Sequence, residues 1–188
     1  MKRTISALWD AVTVAEAKAH IQGLESITSE DAYIGTLIAA AREVAEAFMW
    51  RTIVLSTYEL RLSSFSDRII LPAPPAIAIT SIKYYDTAGV EQTLDASAYK
   101  LIDFEEPGFV IAAPGTSWPD TRGADGDITI TFTAGYAAAA NVPAAFKQAI
   151  LLMVRTWFDH RENVTNRTVN EMPKGSEFIL RSWRCNRF

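Results

Sequence analysis

The chain has 188 residues, 49% hydrophobic and 21% charged, the balance of one globular domain with a sizeable core and room for an appendage. Its net charge of −4 is uneven, because residues 1–160 carry 12 basic and 19 acidic side chains whereas residues 161–188 carry 6 and 3. Cys185 is the only cysteine and His20 and His160 the only histidines, which rules out a disulfide within the chain and matches no familiar zinc set.

Met1–Trp9 lacks the apolar run of a signal peptide and no stretch approaches transmembrane length, so the expectation is a protein of the cell or particle interior. Thr13 followed by Glu16 is a capping box, and Val14, Ala17 and Ile21 share a face, which predicts a helix over about 14–22. Ser29-Glu30-Asp31 is a second helix start, with Ile34, Leu37, Ile38, Ala41, Ala45 and Phe48 at helical spacing to about residue 50. From Ile53 the period changes to two. Val54, Tyr58, Leu60 and Leu62 alternate with polar groups and open a β region that runs to about residue 134.

Within that region Arg68–Leu71, Ile77–Tyr85 and Val90–Leu94 are strand candidates, the last two joined by the Asp86–Gly89 turn. Tyr99–Phe104 and Phe109–Ala112 form another pair through Glu105-Glu106-Pro107-Gly108, and residues 114–127 form a long polar loop before Ile128, Ile130 and Phe132. Pro143 then sits at a helix start. The third helix, about 143–161, is apolar nearly all round, with Leu152 interrupting a narrow polar strip of Gln148, Arg155 and Asp159. A helix of this kind is buried on most sides, either centrally in its own domain or in part by a neighbouring subunit. Leu152, Arg155 and Asp159 are therefore the candidate subunit-interface residues.

Residues 1–161 are thus expected to form one α+β domain: helices packed with an antiparallel sheet region. Residues 162–188 are expected to be an extended C-terminal arm. The arm carries Phe178, Ile179, Leu180 and Trp183 among Arg181, Arg184, Arg187 and Phe188, and burying each large apolar group is worth roughly 1.5–3 kcal/mol, so something must cover them. A basic tail on an acidic body suits a partner's acidic surface, nucleic acid or the body of an identical neighbour.

Catalytic signatures are absent: the chain has no Gly-rich phosphate loop, nucleophile elbow, H-E-x-x-H or paired-cysteine motif. Asp159 and His160 are adjacent on a helix and point about 100° apart, so they cannot act as a dyad. Glu105-Glu106 before Pro-Gly is a solvated turn. Asp120, Asp125 and Asp127 lack the one-in-two spacing of a calcium loop. No cofactor, no metal and no enzymatic activity are expected.

A series of local strings resembles the head-tail connector, or adaptor, proteins of tailed phages and of gene transfer agents. They are Thr13–Lys18, Asp31-Ala32-Tyr33-Ile34 with Ala40–Glu43, Ile70-Leu71-Pro72 with Pro74-Pro75, and Tyr84-Tyr85-Asp86 with Gly89-Val90. Ser117-Trp118-Pro119, Ala134-Gly135-Tyr136, Val142-Pro143 and Lys147–Leu152 follow in the same order. The resemblance implies a homo-oligomeric ring, commonly of twelve subunits, seated below the portal protein in the neck of a virion or phage-like particle made in the bacterial cytoplasm. DNA passes through such a ring without specific binding, and the next neck or tail-completion protein is built on it; no membrane is involved. In relatives the segment after the long helix reaches the portal, which maps here onto the arm residues Phe178, Ile179, Leu180, Arg181, Trp183, Arg184, Arg187 and Phe188. Pro173, Gly175, Ile179-Leu180 and Arg181 fit the family's tail pattern, and Trp183–Phe188 extends beyond it. The competing reading of the same arm is a small nucleic-acid-binding protein that uses its interleaved arginines and aromatic rings.

Overall fold

The computed structural model describes residues 1–6, 9–160 and 172–185. It is an α+β protein made of two compact units, one built on strands and one on helices.

The strand unit contains β1 (Lys2–Ser6), β2 (Ser56–Leu62), β3 (Ile69–Ile70), β4 (Ala76–Tyr85), β5 (Glu91–Thr93), β6 (Tyr99–Ile102), β7 (Phe109–Ala112) and β8 (Ile128–Ala134). A five-stranded antiparallel sheet has the order β1-β2-β8-β4-β5, and a three-stranded one the order β3-β7-β6. Strand β8 is central, paired by β2 on one side and β4 on the other, and its alternation is strict: Ile128, Ile130, Phe132 and Ala134 are buried and the intervening threonines are half-buried. Its register places Ile130 opposite Leu60 on one side and Ile82 on the other, so one face carries a continuous apolar stripe. Tyr58 stacks on Phe132 with ring centroids 5.6 Å apart. Leu71, Ile82 and Val110 complete the core beneath.

The hairpins follow the turn chemistry of their residues. The Asp86 carboxylate accepts from the amides of Ala88 and Val90, which fixes the β4–β5 turn. Strand β1 is an element that the sequence patterning does not disclose, since Lys2–Ser6 has neither an apolar run nor a clean alternation. It lies on the edge beside β2 with a register shift between Arg3 and Ile5.

The helical unit contains α1 (Val14–Ile21), α2 (Asp31–Met49), α3 (Ala144–Asp159) and α4 (Lys174–Arg181). Thr13 closes the expected capping box: its hydroxyl accepts from the Glu16 amide and Glu16 accepts from the Thr13 amide at 2.7 Å. Ile34, Ile38, Ala41, Ala45 and Met49 of α2 and Phe146, Ala149, Ile150, Met153 and Val154 of α3 are buried. Helix α3 is the centre of this unit, packed by α1, α2 and α4. Buried charges are answered locally. The Lys18 ammonium donates to the Ile27 carbonyl at 2.7 Å and to Asp31 at 2.9 Å, and Glu46 accepts from the Ile53 amide at 2.7 Å, as the cost of burying an unpaired charge requires.

Candidate docking surface

The described part of the C-terminal segment, residues 172–185, is a folded element and not the expected extended arm, because Lys174–Arg181 forms a helix. Pro173 stands immediately before the first turn of α4, where a missing N–H costs nothing. Glu177 and Arg181 sit one turn apart with a long 3.9 Å ion pair. The price of Gly175 inside so short a helix is offset by packing. Leu180 is fully buried and the Ser176 hydroxyl, also buried, donates to the Ala149 carbonyl of α3 at 3.0 Å.

Beyond α4 the chain turns across the end of α2. The Cys185 amide donates to the Met49 carbonyl at 2.9 Å, an acceptor left open by the helix terminus. Arg51 Nε donates to the Trp183 carbonyl at 2.5 Å, and its guanidinium lies 6.0 Å from the centroid of that residue's ring. The Trp183 ring meets Phe146 edge-on at 5.1 Å. Arg184 stacks over both Phe48 and Trp50, at 5.5 and 5.4 Å, a cation–π arrangement that fixes where its charge is held.

The arm residues therefore divide. Phe178 is 82% exposed, and Arg181, Trp183 and Arg184 also reach solvent; Ile179 is half-buried and Leu180 is internal. Arg187 and Phe188 lie outside the described residues. Phe48, Trp50 and Arg51 join this surface although the sequence reading did not single them out. Trp50 closes α2 in the left-handed conformation, which no side-chain pattern signals.

The three candidate interface residues of α3 have partners inside the unit. Leu152 lies beside Gly175, the Arg155 guanidinium donates to the His20 carbonyl at 3.0 Å, and Arg155 faces Asp159 at 3.6 Å. Arg155 and Asp159 nonetheless keep nearly half of their side-chain surface exposed.

The remaining sequence candidates do not converge. Asp127 is buried and occupied by Arg122, at 2.5 Å, and by the Ala124 amide. The Arg122 contact, first of all, holds the Asp127 carboxyl below the usual range. Asp120 and Asp125 do not join it, and among the described residues no group of three His, Cys, Asp or Glu side chains is placed to hold a metal. Glu105 pairs with Arg68 at 2.7 Å. No helix among the described residues is long and apolar enough to cross a membrane.

The family model for head completion proteins matches residues 11–174. The chain belongs to the head completion protein family. Among solved structures it is similar to a chain in the neck of an empty gene transfer agent particle computed with six-fold symmetry, with 24% identity and a TM-score of 0.76 over 100% of this chain and 97% of that one. A chain in the virion of the native gene transfer agent particle matches with the same values. One in the native neck computed with twelve-fold symmetry has 23% identity and a TM-score of 0.73, again over 100% and 97%. These likenesses establish the fold. Curated proteins yield no match.

Proposed function

We propose that this chain is a structural subunit of the head-tail neck of a tailed phage or gene transfer agent particle. It forms a ring below the portal protein, gives passage to DNA, and offers the next neck or tail-completion protein its seat. The family match over residues 11–174 carries the proposal. The six-fold and twelve-fold symmetries of the similar neck structures support a ring for this chain as well.

The arm is its portal contact. Phe178, Arg181, Trp183 and Arg184 are the exposed members of the docking surface, with Ile179 and Leu180 holding α4 in place and Arg187 and Phe188 continuing the arm. Aromatic and arginine side chains tend to dominate interface energy. Along α3, Leu152, Arg155 and Asp159 are the subunit-contact candidates. The net charge of −7 on residues 1–160 suits a passage, because tight salt-dependent grip on DNA comes from Lys and Arg contacts to phosphate.

Electron microscopy of the particle neck, with mass measurement of the protein in particle extracts, tests this directly. A ring of this chain against the portal is expected. A protein that stays monomeric in extracts and never joins a portal would contradict the proposal.

A further inference from the structure

The loop between β6 and β7, Asp103–Gly108, carries a side chain that the fold leaves without cover. Phe104 is 80% exposed, one of the two most exposed large apolar groups among the described residues. Its loop is held firmly at the base. Arg68 bonds Glu105 at 2.7 Å and lies over the Phe109 ring at 3.6 Å. The Leu71 amide donates to the Gly108 carbonyl at 2.8 Å. Gly108 approaches its surroundings so closely that an added Cβ would stand 3.1 Å from the Ile102 carbonyl oxygen and 3.3 Å from the Ala76 Cβ. An aromatic ring on a braced turn loses little freedom when it is captured, which is the property of an interface anchor. Its flanks are acidic: Asp103, Glu105 and Glu106 are all exposed.

The same unit has a surface of complementary character. Beside the edge strand, Met1, Lys2, Glu59 and Arg61 line a concavity of about 370 Å³, of a size that admits a phenyl ring. Lys2 stands opposite Glu59 in the β1–β2 register. Arg61 reaches Glu59 only at 3.9 Å and is 69% exposed, which leaves its charge directed to solvent. Met1 is 58% exposed and supplies an adaptable apolar wall.

We infer that Phe104 of one copy inserts into the Met1–Lys2–Arg61 concavity of a second copy, with Asp103 and Glu106 facing Lys2 and Arg61. The occupant is a second copy because this chain carries both the acidic aromatic tip and a hollow in which Lys2 and Arg61 outnumber the single acid, Glu59, beside the Met1 wall, so the two surfaces are complementary in charge. The contact joins two different surfaces, so it repeats head-to-tail, as a ring demands. It rests on the ring reading and names the residues that would close it.

The full chain carrying photoreactive p-benzoylphenylalanine at position 104 tests the contact, both purified at high concentration and in particle necks. Mixed isotope labelling separates cross-links within a copy from those between copies. A cross-link from position 104 to residues 1–6 or 56–62 of another copy is expected; attachment to a different protein alone, or to none, overturns the inference. Phe104→Ala should weaken association between copies by about tenfold or more with unchanged circular dichroism. Asp103→Lys should do likewise, and adding Arg61→Glu to Asp103→Lys should restore it. Wild-type necks that hold a ring which Phe104→Ala leaves intact would sink this inference and spare the ring. Necks without any ring of this chain would remove the ring reading itself, and a cross-link between purified copies would then still support the contact.

Discussion

Trp183 and Arg181 lie two residues apart and do different work. Trp183 packs edge-on against the fully buried Phe146 and receives Arg51, so Trp183→Ala should lower unfolding stability by about 1–2 kcal/mol in denaturant titration. Arg181 is exposed and, among the described residues, pairs with Glu177 at 3.9 Å. Arg181→Ala should leave stability within about 0.5 kcal/mol and, if the arm meets the portal, reduce incorporation into particles. Equal stability losses for both would mean that Arg181 supports the fold. Two carboxylates give a pH signature. Backbone and then side-chain hydrogen bonds from Thr13 lower the Glu16 pKa, and Arg122 above all lowers that of Asp127. Both groups take up protons more readily unfolded, so their stabilisation is complete above about pH 4–4.5 and is lost as pH falls through the depressed folded values. Stability measured by chemical unfolding from pH 6 down to pH 2 should fall less steeply in Asp127→Asn than in the parent. Thr13→Ala should cost about 1 kcal/mol at neutral pH.

At the scale of elements, α4 is held by tertiary contacts and not by its own propensity. An isolated helix of eight residues containing Gly175 is unstable, yet Leu180 and Ser176 are both fully buried. Leu180→Ala should cost about 2–5 kcal/mol by differential scanning calorimetry, and limited proteolysis should then cut the segment faster than in the parent. An unchanged melting temperature would show that α4 contributes nothing to the stability of its unit. Helix α4 was hidden in the sequence because its support comes from Ala149, more than twenty residues earlier on α3. The first three helices were legible from their own residues. Their expected ranges of about 14–22, 30–50 and 143–161 fall within two residues of Val14–Ile21, Asp31–Met49 and Ala144–Asp159, because caps and apolar period both lie within the element.

For the molecule as a whole, the decisive contrast is between a neck subunit and a nucleic-acid-binding protein. The rings of Trp183, Phe48 and Trp50 are already engaged by Arg51 and Arg184, which leaves fewer free faces for stacking bases than the interleaved sequence suggests. Fluorescence anisotropy with double-stranded DNA should therefore show weak binding at physiological salt, without the steep salt dependence of a protein that neutralises many phosphates. Tight binding abolished by removal of residues 176–188 would favour the alternative. The candidate docking surface was half legible: the arm's arginines and aromatic groups stand out in sequence, whereas Phe48, Trp50 and Arg51 join them only because the chain crosses the end of α2 at Met49.

Local chemistry in the sequence was sufficient for the α+β class, the first three helices, the alternating strands and the turn at Asp86, since each depends on residues within a few positions of one another. The order of family strings was also sufficient to point to the connector resemblance. Strand order was settled only by tertiary structure: β8 lies between β2 and β4, more than forty residues away in the chain, and a period of two says which face is buried but never which strand is next to it. The same holds for edge strand β1, for the helical form of residues 174–181 and for the exposure of Phe104. Each depends on what packs against the segment, and that is a property of the folded chain.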